Sequence, residues 1–329
     1  MVMGEGFYPY VTGVLRPKGL GMRVLVNGIA GFGGSAVARS LIEKGYTVRG
    51  IDMTAPSHAT LLRDIVDRVD YRWKNLMDIS REDVRGCDAV LHFSAQADVP
   101  EGFSSPRYTV MNNVMGTVAA LEASRGVRGL QKFILASSAN AVQRPKYLPI
   151  DAEHPPNPVN PYGASKGAQE LMALAWHRSY GVPVVIYRNG VIYGPNMRRE
   201  IFIFKWLWNM LHSKPCVLEG GEQTRDPTYG TDAVRAWILG LEAEREEVVG
   251  ETFQVSSGKE YTVRKILEEC MKACGRTVKV VRKGYRPGEE GMREQFDISK
   301  ARSILGYKPE VSLREGLRLT VDWMNKLNS

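Results

Sequence analysis

The chain has 329 residues, 43% of them hydrophobic and 24% charged, which is the profile of a globular protein and excludes a disordered one. Lys and Arg number 44 against 36 Asp and Glu, a net charge of +8. No Lys/Arg run accompanies that excess, so nucleic acid is not expected as a partner, and the charge reads as a solvated basic surface with some attraction for phosphate-bearing small molecules.

Residues 1–21 are rich in Gly and Pro and lack the basic-then-apolar layout of a signal peptide. They are expected to form an extension outside the fold, with Met22 a candidate natural start. From there short β-branched runs alternate with amphipathic stretches. Arg23–Asn27 predicts a strand, residues 33–44 a helix stopped by Gly45, and Thr47–Asp52 a second strand. Val69–Trp73 reads as a weaker third strand and 89–94 as a fourth, followed by a long helix through 113–124. A fifth strand covers 132–137, a helix Pro161–Tyr180, and a sixth strand 184–188. This alternation predicts an α/β fold with a doubly wound parallel sheet covered on both faces. After residue 188 the rhythm weakens, and a smaller domain over the carboxyl ends of the strands is expected. There, residues 201–211 (IFIFKWLWNML) read as a helix buried between the two domains, or else as an apolar lid or partner surface.

No stretch of 18 apolar residues predicts a membrane span. Cys87, Cys216, Cys270 and Cys274 show no C-x-x-C spacing, so no metal centre is expected, and a reducing cytoplasm suits them.

The segment VNGIAGFGG sets Gly28, Gly31 and Gly34 at three-residue intervals between a strand and a helix. Glycines let backbone approach a pyrophosphate, and the helix amino terminus supplies free N–H groups and a positive dipole end. Asp52 ends the second strand 21 residues after Gly31. A carboxylate there accepts from ribose hydroxyls and repels a 2′-phosphate, which predicts NAD rather than NADP.

In PYGASK, Tyr162 and Lys166 stand four apart, hence on one helix face about 6 Å apart along the axis. A phenol has an ordinary pKa of about 10, and bringing it to neutrality needs about 4 kcal/mol. A neighbouring ammonium and a nicotinamide ring are expected to supply it. Tyr162 would then take a proton from a substrate hydroxyl as hydride leaves the same carbon. Ser137 and Ser138 end the fifth strand. Ser138 is expected to bind the reacting oxygen, with Ser137 nearer the cofactor.

VNGIAGFGG, GID, NLMD, VLHFSAQADV, NNVMGT, KFILASS, NPVNPYGASK, VIYRNGVIYGP, GGEQTRDPTYGTD and RPGEEGMREQFDISKARSILGYKP follow one another in this order. On these segments the chain resembles the extended short-chain dehydrogenase/reductase family, the NAD-dependent nucleotide-sugar epimerases and dehydratases, from Met22 to about residue 325. The resemblance implies a Rossmann domain over 22–187 and a substrate domain over 188–329, with the chain able to cross back. It implies a catalytic trio of Ser138, Tyr162 and Lys166. For NAD it implies the loop residues Gly28, Ile29, Gly31, Phe32, Gly33 and Gly34, then Asp52 and Met53, and Asn75 and Leu76 at the adenine. Phe93, Ser94 and Ala95, Asn113, Ser137, Asn189 and Val191 complete that set with Tyr162 and Lys166. Ser138, Asn140, Arg225 and Arg286 are implied to meet a nucleotide-diphosphate sugar, the arginines gripping its diphosphate. A homodimer through a four-helix bundle of 108–124 and 162–180 is implied as well.

The departures bear on the reaction. Where 4,6-dehydratases carry an acidic pair, this chain has Ala139 and Asn140, which disfavours elimination of water. Asn189 and Val191 replace a proline and a sugar-contacting asparagine, so the sugar is not carried over. The expectation is C4 epimerisation through a 4-keto intermediate. The alternatives are an NAD-dependent dehydrogenase or ketoreductase on a sugar or other small alcohol, and a non-catalytic NAD-sensing or RNA-associated member of the fold.

Overall fold

The computed structural model describes residues 21–328, so the expected amino-terminal extension lies, apart from Gly21, outside the described residues. The first half runs β1 (Arg23–Asn27), α1 (Phe32–Glu43), β2 (Thr47–Asp52), β3 (Val69–Trp73), β4 (Ala89–His92), α2 (Gly116–Ser124), β5 (Lys132–Ser138), α3 (Pro161–Tyr180) and β6 (Val184–Asn189). The second half adds β7 (Val191–Tyr193), α4 (Phe202–Leu211), β8 (Cys216–Glu219), β9 (Thr224–Arg225), β10 (Pro227–Tyr229) and α5 (Gly230–Glu242). It ends with β11 (Thr252–Val255), β12 (Tyr261–Thr262), α6 (Val263–Cys274), β13 (Val280–Lys283), α7 (Ser299–Leu305) and α8 (Leu313–Asn328).

Seven strands make one parallel sheet in the order β11-β6-β5-β4-β1-β2-β3. Successive side chains point to opposite faces, so each strand feeds two cores. Val24 and Val26 of β1 join Val185 and Tyr187 of β6 beneath α1 and α5, where Leu41 and Trp237 pack. Leu25, Phe133, Leu135 and Ile186 face the other way, against Leu121 of α2 and Ala173 of α3. Burial on both faces explains the near-continuous apolar runs of β1, β5 and β6. The order reverses between β1 and β4, and there the sheet opens a crevice at its carboxyl edge.

The chain crosses back into the sheet: a seventh strand, β11, drawn from the second half lies beside β6, with Thr252 opposite Ile186. It is only four residues long, and nothing in TFQV marks it as returning to the first sheet. The long helix expected through 113–124 is broken: an α-helical turn Pro106–Val110 passes into a π-helical stretch Met111–Met115 and then into α2.

Helix α3 matches its expected bounds because its ends are specified locally. Asn160 caps it, Pro161 opens it, and Gly181 closes it in the left-handed region at φ 69°. Helix α4 packs Ile203, Phe204, Trp206, Leu207 and Met210 into a separate core with residues of α6 and α8. The aromatic run is therefore the interior of the smaller unit, not a lid. Among the described residues no helix is long and apolar enough to cross a membrane.

Candidate active site

The β1–α1 turn builds the first wall of the crevice. Gly28 has φ +71°, and a Cβ there would sit 2.6 Å from the backbone nitrogen of Ser94; at Gly34 a Cβ would sit 2.2 Å from the Gly28 carbonyl oxygen. No side chain fits either place, so the turn closes tightly and Gly28 presents bare backbone to the cavity. Gly31 is the N-cap of α1 and offers no capping side chain, which leaves the first-turn N–H groups for an anion. A cavity of about 310 Å³ opens here, lined by Gly28, Gly31, Asp52, Met53, Asn75 and Leu76 and by Phe93, Ser94 and Ala95. The Asp52 carboxylate is held at its edge by the backbone N–H groups of Ala30 at 3.0 Å and Thr54 at 2.9 Å. These residues fit the pyrophosphate and adenosine ribose of a dinucleotide.

Several other members of the expected cofactor set have side-chain or packing roles in the scaffold. The Ile29 side chain is fully buried in the core under β2. Phe32 and Val191 pack against the core of the smaller unit. Gly33 lets Phe93 and Trp237 approach to 3.2 Å of where its Cβ would be. Asn189 spends its amide on Ser137 O at 3.0 Å, Tyr187 O at 3.1 Å and Trp237 Nε1 at 3.2 Å. Asn113 is fully buried; it accepts from Gln96 N at 2.7 Å and donates to Gln96 O and Ser165 Oγ. Asn113 and Asn189 are thus ties between elements, because a buried amide must satisfy both ends.

Ser138 at the end of β5 and Tyr162 and Lys166 on the first turns of α3 meet at the carboxyl edge of the sheet. Tyr162 and Lys166 are both buried. Burial pushes the Tyr162 phenol above its ordinary pKa, while a hydrogen bond with Ser138 and the charge of Arg198 pull it down and Asp98 pushes it up. Lys166 donates to the Ala136 carbonyl at 2.7 Å. Burial pushes its ammonium down to about 8, opposed by Glu170. Among the charges around Tyr162, that of Arg198, whose Nη2 is anchored on Ala97 O at 2.7 Å, lowers its pKa and that of Asp98 raises it.

Beneath this trio lies a buried ion pair. Glu170, one helical step beyond Lys166, takes Arg188 at 2.8 to 3.1 Å, with side chains 2% and 5% exposed. Ser137 donates to the same carboxylate at 2.5 Å, so its hydroxyl faces the interior and is not nearer the cofactor. The spacing 162, 166, 170 was readable as one face of a helix, and an arginine inside an apolar strand demands a buried acid. Gln96, Asp98 and Arg198 had no such signal.

Asn140 donates its Nδ2 to Ser138 Oγ at 3.2 Å. Arg225 is buried between Glu289 at 3.0 Å and Glu294 at 3.5 Å, and it meets a diphosphate only at the expense of those pairs. Arg286 is more open and pairs with Glu219 at 2.5 Å. Gln223 bridges the two arginines' partners, donating to Glu219 O at 2.8 Å and lying 3.5 Å from Glu289.

The chain is similar to known proteins. The model of the NAD dependent epimerase/dehydratase family matches residues 24–256. A dTDP-glucose 4,6-dehydratase from Streptomyces niveus is 34% identical over 316 residues, 92% of this chain and 92% of its own. A UDP-glucuronate 4-epimerase from Thermodesulfobacterium geofontis is 29% identical over 318 residues, 91% of this chain and 95% of its own. The crystal structure of a UDP-glucuronic acid 4-epimerase from Bacillus cereus with UDP-glucuronic acid and NAD superposes with a TM-score of 0.86 at 30% identity, covering 93% of this chain and all of that one.

Proposed function

The chain belongs to the NAD-dependent epimerase/dehydratase family, and from that premise we propose that it is an NAD-dependent UDP-sugar 4-epimerase acting through a 4-keto intermediate. The observation that carries this reading is the trio of Ser138, Tyr162 and Lys166 with no carboxylate beside Ser138, where Ala139 is buried and Asn140 is an amide. A dehydratase needs an acid to deliver a proton to the departing hydroxyl. Asp98, the carboxylate that acts on Tyr162, caps a different helix by accepting from Glu101 N at 3.0 Å.

NAD supplies a reversible hydride acceptor. Gly28 and Gly31 would present backbone to its pyrophosphate, Asp52 would take the adenosine ribose, and Lys166 would meet the nicotinamide ribose. Tyr162 removes the proton of the 4-hydroxyl while Ser138 holds the oxygen. The ketone turns in the pocket so that the opposite face of C4 takes the hydride back, and Tyr162 returns the proton to its oxygen. Arg286 receives the diphosphate, exchanging the Glu219 carboxylate for phosphate oxygens.

The partner surface is proposed to be a second copy. Tyr108, Met111 and Met115 expose an apolar stripe just ahead of α2, and α3 exposes Leu171, which suits a four-helix bundle. The unpaired thiols of Cys87, Cys216 and Cys270 suit a reducing compartment, so we assign the enzyme to the cytoplasm.

The test is incubation with UDP-glucose, UDP-glucuronate and UDP-N-acetylglucosamine without added NAD. The 4-epimer forms from at least one, and Tyr162→Phe abolishes turnover while still binding NAD. A 4-keto-6-deoxy product, a net oxidised sugar that requires added NAD, or undiminished turnover by Tyr162→Phe overturns the reading.

A further inference from the structure

The direction of the hydrogen bonds around Ser138 is set from outside the trio, starting at the end of the helix that carries Tyr162. Asn160 caps α3 by accepting from the backbone N–H of Gly163 at 2.8 Å. A backbone N–H only donates, so this end of the Asn160 amide is the oxygen and its other end is Nδ2. That Nδ2 donates to Gln143 Oε1 at 2.6 Å and lies 3.5 Å from Asn140 Oδ1. Gln143 is buried, so this relay is shielded from exchange with water. With its oxygen facing Asn160, Asn140 turns its Nδ2 to Ser138 Oγ at 3.2 Å, and the backbone N–H of Asn140 donates to the same oxygen, also at 3.2 Å.

A hydroxyl oxygen has two lone pairs and one proton. Both lone pairs of Ser138 are occupied by Asn140, once from its side chain and once from its backbone. The proton is left to turn toward the Tyr162 phenol, whose pKa the Ser138 hydroxyl lowers. We propose that Asn140 is a positioning residue that, oriented by the N-cap of α3, keeps Ser138 a donor, its one proton going to the Tyr162 phenolate at rest and to the substrate oxygen once Tyr162 takes up a proton, and prevents it from accepting. This rests on the reading of Ser138 and Tyr162 as the reacting pair. A donor to the phenolate stabilises the base form of Tyr162, and a donor to the sugar oxygen stabilises the alkoxide that develops as hydride leaves. The relay ties that polarity to the same helix end that places Tyr162, so base and donor keep one register.

Two substitutions separate this role from mere packing. Asn140→Asp keeps the size but turns a donor into an acceptor, so the Ser138 proton swings onto the new carboxylate and a negative charge comes near Tyr162. Asn140→Ala removes the amide but leaves the backbone N–H and a free Ser138 proton. The polarity account expects the isosteric change to be the worse one. In Asn140→Asp, kcat falls ~100-fold with KM within ~3-fold, comparable to losing one hydrogen-bond donor to a developing oxyanion. It partly recovers at acid pH, where the new carboxyl is protonated and donates again. In Asn140→Ala, kcat falls less than ~10-fold. In a Ser138→Ala background, Asn140→Asp loses most of its further effect.

A second readout needs no turnover. In the NAD-bound protein labelled with 13Cζ-tyrosine, the Tyr162 resonance, assigned by its absence in Tyr162→Phe, titrates roughly one pH unit or more higher in Asn140→Asp and almost unchanged in Asn140→Ala. An alanine variant as impaired as the aspartate variant, or a Tyr162 titration that does not move in Asn140→Asp, overturns the proposal. If the unsubstituted protein turns over no UDP-sugar, the functional reading fails, and the NMR titration still decides the direction of the Ser138 bond.

Discussion

Glu170→Gln removes a negative charge from a place solvent does not reach. Glu170 is 2% exposed and accepts three contacts of 2.8 to 3.1 Å from an Arg188 that is 5% exposed. It also accepts the Ser137 hydroxyl at 2.5 Å. Breaking a buried pair by neutralising one partner costs about 3–5 kcal/mol, because the remaining charge is left in a low dielectric. Arg188 keeps the carbonyl of His154 at 2.7 Å, and glutamine retains one accepting oxygen, so the low end, about 3 kcal/mol, is expected. That corresponds to a Tm lower by on the order of 4 °C in a chain of this size. The same substitution removes the charge that holds up the Lys166 ammonium against burial. Lys166 then loses its proton below the present value of about 8, and the alkaline limb of the rate profile moves to lower pH. Thermal unfolding followed by circular dichroism and a kcat/KM profile from pH 6 to 10 read the two effects. A Tm within about 1 °C of the parent together with an unmoved alkaline limb refutes the argument. Changing both partners, Glu170→Leu with Arg188→Met, is expected to cost less than Glu170→Gln with Arg188 left charged.

His92 is buried, and burial together with the charge of Lys166 holds its pKa at about 3 against 6.5 when unfolded. The unfolded chain binds the extra proton between these values, so stability is lost as pH falls from 6.5, by about 2 kcal/mol at pH 5; urea midpoints of the parent and His92→Gln at pH 5 and 7 isolate this share, which should be absent in the variant. Asp52→Asn should narrow the preference for NAD over NADP by about tenfold in fluorescence titrations, since a carboxylate no longer opposes a 2′-phosphate. Arg286→Ala should weaken UDP binding by about tenfold by calorimetry, whereas Glu219→Gln should strengthen it by releasing that guanidinium; equal effects of the same sign would remove Arg286 from the diphosphate site.

Local rules made much of this molecule readable. The apolar runs of β1, β5 and β6 belong to a sheet buried on both faces, and Asn160, Pro161 and Gly181 mark both ends of α3 within a few residues of sequence. The crevice was legible for the same reason, since Gly28, Gly31 and Asp52 sit at strand ends whose context is local. What escaped depends on partners far along the chain. Nothing in TFQV says that β11 returns to β6, and nothing near Asn113 says that its amide is consumed by Gln96 and Ser165. Arg225 looks like a free anion site until Glu289 and Glu294 fold onto it. The altered position 140 showed in sequence only that an acid was missing. Its donor direction came from the cap at Asn160, which side-chain geometry alone reveals.

The central claim is that one carbon is oxidised and reduced again by the same bound cofactor while Tyr162 moves the proton. It is tested most directly with UDP-sugars carrying deuterium at C4, incubated with the purified protein without added NAD in ordinary water. The account predicts a 4-epimer that retains the deuterium at C4, with none washed into solvent and none transferred to added unlabelled cofactor. Loss of the label to water, or its appearance on exchangeable NADH with a net oxidised sugar, would contradict it.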